Sequence, residues 1–228
     1  MSLYFWLNLL VIIGPILLSF DKKVAFWRRW PPLLMSMIIV SSVFIIWDII
    51  VTEIGHWSFS VIYAGTLKLV NLPIGEWMFF IAVPYATIFI YECVRAYTKD
   101  KELHFSRYIF ISIGLIGTLP LIFFFNKGYT VLMGIVFLIT MCTIGFFGYK
   151  KFTSKWTLVA LILTYIPFLV FNGIFTYLPI VLYNPDAIIG IRVISIPIED
   201  FFYSFSLISL SMFFYFLFRE RFSIKGAK

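Results

Sequence analysis

Seven apolar stretches, at about 3–20, 32–51, 73–94, 107–125, 129–149, 156–178 and 197–218, take up most of the 228 residues of this chain. Each is close to the ~20 residues that an α-helix needs to cross a ~30 Å hydrocarbon layer. The chain is 62% hydrophobic and only 13% charged, with a mean hydropathy of +1.00, far outside the range of water-soluble domains. The expected fold is therefore an all-α integral membrane protein with seven transmembrane helices. The first stretch lacks a basic leader and a small-residue cleavage site, and its basic residues follow the apolar run. It reads as a retained helix, not a signal peptide.

The net charge of +7 follows this topology. Fifteen cations (Lys22, Lys23, Arg28, Arg29, Arg95, Lys99, Lys101, Arg107, Lys150, Lys151, Lys155, Arg219, Arg221, Lys225 and Lys228) fall on one side of a seven-helix arrangement; three, Lys68, Lys127 and Arg192, fall on the other. The positive-inside rule then places the amino terminus outside and the carboxyl terminus in the cytoplasm. Contacts with anionic membrane lipid account for the basic balance, and no nucleic-acid partner is expected. Cys93 and Cys142 both fall in apolar spans, so neither a disulfide framework nor a zinc site is expected.

Within this apolar chain a polar layout occurs twice. Asp48 and Thr52 precede Pro73-Ile-Gly-Glu76; 124 residues later Asn172 and Thr176 precede Pro197-Ile-Glu199-Asp200. The period maps the second apolar stretch onto the sixth and the third onto the seventh, each pair an even number of crossings apart. The expected organisation is two parallel three-helix repeats, about 1–94 and 129–218, joined by a linker helix at about 107–125. The connecting segments 52–72 and 179–196 are long and rich in Ile, Val, Trp and Tyr. Irregular backbone is not tolerated against lipid, so they should lie in the interface or fold back on the bundle. Trp57, Phe59, Tyr63, Tyr177 and Tyr183 are expected to form an aromatic belt there.

Carboxyl groups in such surroundings are expensive and mark functional sites. Pro73 and Pro197 suit the first turn of a helix, which puts Glu76, Glu199 and Asp200 just behind them. Asp48 and Asn172 end their own helices at the same depth. A lone acid there could simply cap a helix at the headgroups; a repeated cluster at one depth points to chemistry. Neighbouring acids cannot both ionise cheaply, so a Glu199–Asp200 pair or a pair across the repeats can share a proton. A protonated acid beside a carboxylate can add a proton at one atom and remove it at another. Glu76, Glu199 and Asp200 are thus the candidate catalytic residues, with Asp48, Asn172, Thr52 and Thr176 in support. Glu53 and His56 are further outer-side candidates. Glu92 beside Arg95 reads as an interfacial ion pair and His104 as a solvated loop residue. No nucleotide, flavin, zinc or serine-hydrolase fingerprint occurs, so no cofactor or metal is expected.

At these positions the chain resembles the membrane-integral lycopene cyclases, which occur as heterodimers in some bacteria and fused in archaea and fungi. Trp47-Asp48, Gly55, Trp57, Phe59, Gly65, Pro73-Ile-Gly-Glu-Trp, Phe79-Phe80, Pro84 and Tyr91-Glu92 look like the first half; Pro197-Ile-Glu-Asp-Phe-Phe-Tyr looks like the second. The resemblance departs at Gly75, where the family pattern has a Glu and the second repeat has Glu199. It implies fused halves, no flavin, and proton-initiated, non-redox closure of a carotenoid end group to a β-ring. The partners would be a lipid-soluble carotenoid and membrane lipid; the oligomeric state is left open. A carotenoid hydratase is the nearest rival. A transporter or a structural membrane subunit would also place acids in a bundle, but a transporter relay would spread them across the membrane.

Overall fold

The computed structural model describes residues 1–225; Lys228, counted above among the inner-side cations, lies outside them. Among these residues are nine α-helices: α1 Leu3–Leu18, α2 Trp30–Glu53, α3 Val61–Ala64, α4 Ile74–Tyr97, α5 Arg107–Thr118, α6 Gly128–Thr143, α7 Tyr149–Phe152, α8 Lys155–Tyr177 and α9 Ile198–Lys225. Five stretches are long and apolar enough to cross a membrane: α2, α4, α8, α9, and α6 continued through the π-helical turn Ile144–Gly148 and α7 to Phe152. The chain is an all-α membrane-integral protein. The first and fourth apolar stretches form shorter helices, α1 of 16 residues and α5 of 12. A 3-10 turn, Leu119–Ile122, extends α5. Side chains such as Ile38, Ile46, Ile162 and Ile166 are exposed on the long helices, a surface suited to hydrocarbon and not to water.

Elements 124 or 125 residues apart match in type and neighbours. α1 packs along α4 as α6 packs along α9, and α2 packs along α9 as α8 packs along α4. Three short antiparallel ribbons add to the bundle: β2 (Lys68–Leu69) with β3 (Leu72–Pro73), β5 (Arg192–Val193) with β6 (Ile196–Pro197), and β1 (Trp57–Phe59) with β4 (Val181–Tyr183). The first two are matching hairpins. Val70 and Ile194 both adopt φ 60° at their tips, a costly conformation for β-branched residues. Pro73 and Pro197 close these hairpins opposite Lys68 and Arg192, one position outside the helices. They therefore stand just before the first turn and not within it, where Ile74 and Ile198 donate their N–H groups back to Leu67 and Ile191.

The third ribbon joins the two halves. Trp57 pairs with Tyr183, Ser58 with Leu182 and Phe59 with Val181. Positions 57 and 181, 58 and 182, and 59 and 183 are 124 apart, so equivalent residues pair crosswise, as a local twofold axis through Ser58 and Leu182 requires. The connecting segments do fold back onto the bundle.

Polar side chains complete the helix packing. Pro84 inside α4 leaves the Phe80 carbonyl without its helical donor, and Ser41 of α2 supplies a hydroxyl at 2.7 Å. Ser36 of α2 likewise donates to the Ser211 carbonyl of α9 at 2.7 Å. Small polar residues let helices approach closely where lipid gives no hydrophobic drive between them.

Glu92 is more than an interfacial ion pair with Arg95. It is 2% exposed and is gripped from both halves: Arg95 at 2.9 Å, Arg219 at 3.2 Å and the Tyr215 hydroxyl at 2.7 Å. Arg95 and Arg219 are themselves 124 residues apart. The acid lies 16 residues along α4 from Glu76, ~24 Å at ~1.5 Å per residue. Glu92→Leu should cost on the order of 1–3 kcal/mol through the lost charged hydrogen bonds, the arginines retaining access to water. Thermal unfolding in detergent checks this. Chemistry at the far end of α4 should be unchanged per folded molecule.

Candidate functional site

The hairpin before each long helix aims its first turn beneath the β1–β4 ribbon. Glu76 in α4 and Asp200 in α9 are thereby brought together, with Asp48 from the end of α2 and Asn172 from the end of α8. All three acids are buried, Asp48 to 2%, Glu76 to 5% and Asp200 to 5% exposure. Among the described residues no cation pairs with any of them.

Phenols and an amide serve instead. Tyr4 donates to Glu76 Oε2 at 2.6 Å, and Tyr203 to Asp48 Oδ1 at 3.2 Å. Asp200 receives three donors: Tyr129 at 3.1 Å, Asn172 Nδ2 at 2.9 Å and Tyr183 at 2.7 Å. Tyr4 and Tyr129 occupy corresponding places on α1 and α6, and each stacks on a ribbon residue: Tyr4 on Phe59 at 6.3 Å, Tyr129 on Tyr183 at 5.9 Å. Burial and the Asp200 carboxylate hold the Tyr183 phenol well above its usual pKa range, so it remains a donor.

Asp48 and Glu76 line the same space, both buried and with no cation paired to either among the described residues. Two ionised carboxylates offer only acceptors and repel each other, so neighbouring buried acids favour sharing one proton. Asp200 has donors on every side and needs none. Such an arrangement can supply one acid that holds a proton and one that can accept it.

Glu199 points elsewhere. Its Oε1 accepts from the Thr130 hydroxyl at 2.6 Å and the Ile189 N–H at 2.8 Å, tying the segment before β5 to α6 and α9. Thr52 and Thr176 stand outside the cluster as well; Thr176 bonds to the Asn172 carbonyl at 2.9 Å and Ser195 Oγ at 2.7 Å. Glu53 accepts from Asn71, and His56 lies against Gly128.

The departure at Gly75 has a steric cause. A Cβ there would lie 2.5 Å from the Tyr4 ring. Tyr4 occupies the space a Glu would need, and Asn8, wholly buried, donates to the Gly75 carbonyl at 3.1 Å and the Tyr4 carbonyl at 3.0 Å.

A cavity of about 240 Å³ begins at this cluster. The ribbon residues Trp57, Phe59, Val181 and Tyr183 line its closed end, so three of the residues expected in an aromatic belt face the site instead. Tyr177, 75% exposed, stays on the surface. The cavity runs down α1 to Pro15, α8 to Thr164 and α4 to Ile90, ~21 Å from Glu76 at ~1.5 Å per residue. At Leu10 of α1, 61% exposed, its lining reaches the surface. Beyond its polar head the wall is largely apolar, with hydroxyls at Thr87, Thr164 and Ser204. Asp48, Glu76, Asn172 and Asp200 all line the cavity and Glu199 does not. Among the described residues, no group of three or more His, Cys, Asp or Glu side chains is placed to hold a metal ion.

The tyrosines and Asn8 carried little sequence signal of their own. The one available was positional: Tyr4 and Tyr129 precede Glu76 and Asp200 by 72 and 71 residues.

Fold and site together define a membrane-integral protein with a carboxyl–phenol cluster at the head of an apolar cleft. The chain belongs to the lycopene cyclase family: the family model, lycopene cyclase, matches residues 1–94 and 126–218. No curated protein and no solved structure matches it.

Gly75→Ala should force Tyr4 off Glu76 and cost about 1–3 kcal/mol through overpacking. Tyr4→Phe, which keeps the packing and loses only the hydrogen bond, should cost about 1 kcal/mol. Melting curves of the two variants, recorded side by side, check the ordering.

Proposed function

We propose that the protein closes the end group of an acyclic carotenoid of the lycopene type to a β-ring, using its own carboxyl groups as acid and base. The observation that carries this reading is the convergence of buried Asp48 and Glu76 with a donor-surrounded Asp200 at the head of a long, largely apolar cleft. Family membership supports the substrate class.

In this mechanism the Asp48–Glu76 pair gives its proton to the terminal trisubstituted double bond, leaving a tertiary cation. The π electrons of the neighbouring alkene form the ring bond and move the cation to the far alkene carbon. Asp200 then takes a proton from the ring carbon just bonded, and the electron pair left behind forms the ring double bond. One proton enters, one leaves, and no electrons are exchanged with another molecule. The aromatic faces of Phe59, Phe79, Phe171 and Phe175 at the cavity wall can stabilise the cation. Water would trap it as an alcohol, and a ribbon closing the head of the cleft excludes water.

The site assignment reorders the roles expected from sequence. Asp48 joins Glu76 as proton donor, Asp200 is the base, Asn172 orients Asp200, and Glu199 fixes the segment that carries the ribbon. The entry route runs between α1 and α8; α2 contributes Asp48 and little of the wall. We further propose two parallel repeats, 1–94 and 129–218, joined by 107–125. α1 and α5 complete a seven-helix topology with the amino terminus outside and the carboxyl terminus in the cytoplasm. The reaction would be an isomerisation by an intramolecular lyase.

Purified protein in liposomes loaded with lycopene should form rings without added flavin, nicotinamide or metal. A strict need for reduced flavin would contradict the mechanism, and an alcohol as main product would make the protein a hydratase. Asp48→Asn, Glu76→Gln and Asp200→Asn should each lower turnover by about 10²–10⁴-fold. Glu199→Gln, acting through positioning, should lower it by only about 10–100-fold, by analogy with the outer shells of metal sites. Turnover per folded molecule ranks them; a Glu199 variant worse than all three would reverse the assignment.

A further inference from the structure

Buried hydroxyls on the long helices commonly bond back one turn along their own backbone. Thr140 donates to the Val136 carbonyl at 2.8 Å, Thr164 to Ala160 at 2.7 Å and Ser211 to Leu207 at 2.7 Å. Thr87 of α4 is different. It is 1% exposed and lines the cleft, yet its Oγ1 has no partner among the described residues. Its counterpart 124 residues on is Ser211, whose hydroxyl is bonded and whose carbonyl is held by Ser36. Ser206 and Ser209 are also buried without partners, but neither lines the cleft. A buried hydroxyl left unbonded is costly, and a hydrocarbon chain beside it brings no relief.

Thr87 stands 11 residues along α4 from Glu76, ~16 Å at ~1.5 Å per residue, and the cleft continues one turn further to Ile90. Ser204 is one turn from Asp200 and so lies within the space of the reacting end. Thr164 has already given its proton to Ala160, which leaves Thr87 as the free donor in the deep part of the wall. An extended carbon chain advances ~1.2 Å per bond, since the three bonds of a residue span ~3.3–3.6 Å. A chain with its reacting end at the acids therefore passes Thr87 about ten to thirteen bonds on.

We infer that the cleft also accepts a shortened linear polyene ending in a carbonyl oxygen, which takes the Thr87 hydroxyl as its hydrogen-bond donor. Such a chain is what oxidative cleavage of an acyclic carotenoid leaves. A carbonyl is favoured over a hydrocarbon end because it gives the unbonded donor an acceptor. It is favoured over a carboxylate because no Lys, Arg or His lines the wall to pair with a charge. Ring closure at the hydrocarbon end would follow the same course, one proton in and one out, with the carbonyl left intact. That closure rests on the cyclase reading; the carbonyl subsite does not.

The test uses the full chain in phosphatidylcholine liposomes with a matched pair of acyclic polyenes. One is an aldehyde with its oxygen about twelve bonds from the end group; the other carries a methyl group in place of the aldehyde. With binding read as quenching of tryptophan fluorescence, the aldehyde should bind about 3–10-fold more tightly than the hydrocarbon, the effect of one neutral hydrogen bond. Thr87→Val, close in shape, should bring that ratio to about one, while Thr87→Ser should keep it. The carbonyl stretching band of the bound aldehyde should lie at lower frequency in the unaltered protein than in Thr87→Val, a shift that a merely structural role would not produce. An aldehyde shorter by about four bonds, ~5 Å, should lose the preference. Melting curves show that the variants fold; if Thr87→Val does not, Thr87→Ala replaces it. Equal binding of the two ligands by the unaltered protein overturns the inference, as does a preference that survives Thr87→Val or ignores chain length. If lycopene is cyclised but the aldehyde is not preferred, this inference alone falls. If the aldehyde is preferred but neither it nor lycopene forms a ring, the subsite stands and the cyclase reading falls.

Discussion

Three carboxyl groups buried together without a paired cation set the terms for the rest of the structure. Burying an ionised group without partners is costly, and a cluster of like groups costs more. Here hydroxyl and amide donors take the place of a cation: Tyr4 on Glu76, Tyr203 on Asp48, and Tyr129, Tyr183 and Asn172 on Asp200. Phenols can do this because each presents an apolar body to the core and a polar tip to the acid. An arginine would satisfy the carboxylates equally well, but it would hold them ionised. The β1–β4 ribbon is required by the same logic, since Tyr183 reaches Asp200 only because β4 is pinned across the bundle to β1.

The matching halves serve to make two chemically different positions from one scaffold. Helix, hairpin and aromatic support are nearly the same on both sides, down to the strained tips at Val70 and Ile194. The difference lies in a few side chains. Where one half has Asp48 beside Glu76, the other has Asn172 beside Asp200. An acid beside an acid shares a proton; an amide beside an acid donates one hydrogen bond and leaves the acid an acceptor. Gly75 and Glu199 differ for a packing reason, the Tyr4 ring filling one of the two equivalent spaces. At the opposite end of the same helices, Glu92 takes an arginine from each half and holds the two together.

Much of this was legible in the chain because the membrane leaves few alternatives. Long apolar runs read as helices, the 124-residue period pointed to elements that match in type, and acids in apolar surroundings stood out as Glu76, Glu199 and Asp200, with Asp48 in support. What could not be read depends on side-chain direction. Glu199 and Asp200 are adjacent, so a helix turns them some 100° apart, and only Asp200 faces the cavity. Trp57, Phe59 and Tyr183 have the composition of an interfacial belt; their inward orientation follows from ribbon pairing between segments 124 residues apart, which no local pattern reveals. The part played by α1 was hidden for a similar reason. Tyr4, Asn8 and Leu10 are unremarkable in an apolar run until α1 is laid against α4.

The central claim is that a proton held by the Asp48–Glu76 pair becomes part of the ring. Mass spectrometry of the product can test it directly. Protein in liposomes is equilibrated in deuterated water and mixed with less than one equivalent of lycopene, so that each site turns over once. The account predicts one deuterium in each ring formed by the unaltered protein. Rings formed without deuterium would contradict it, because the hydrogen would then have come from the polyene itself or from a donor closed to solvent.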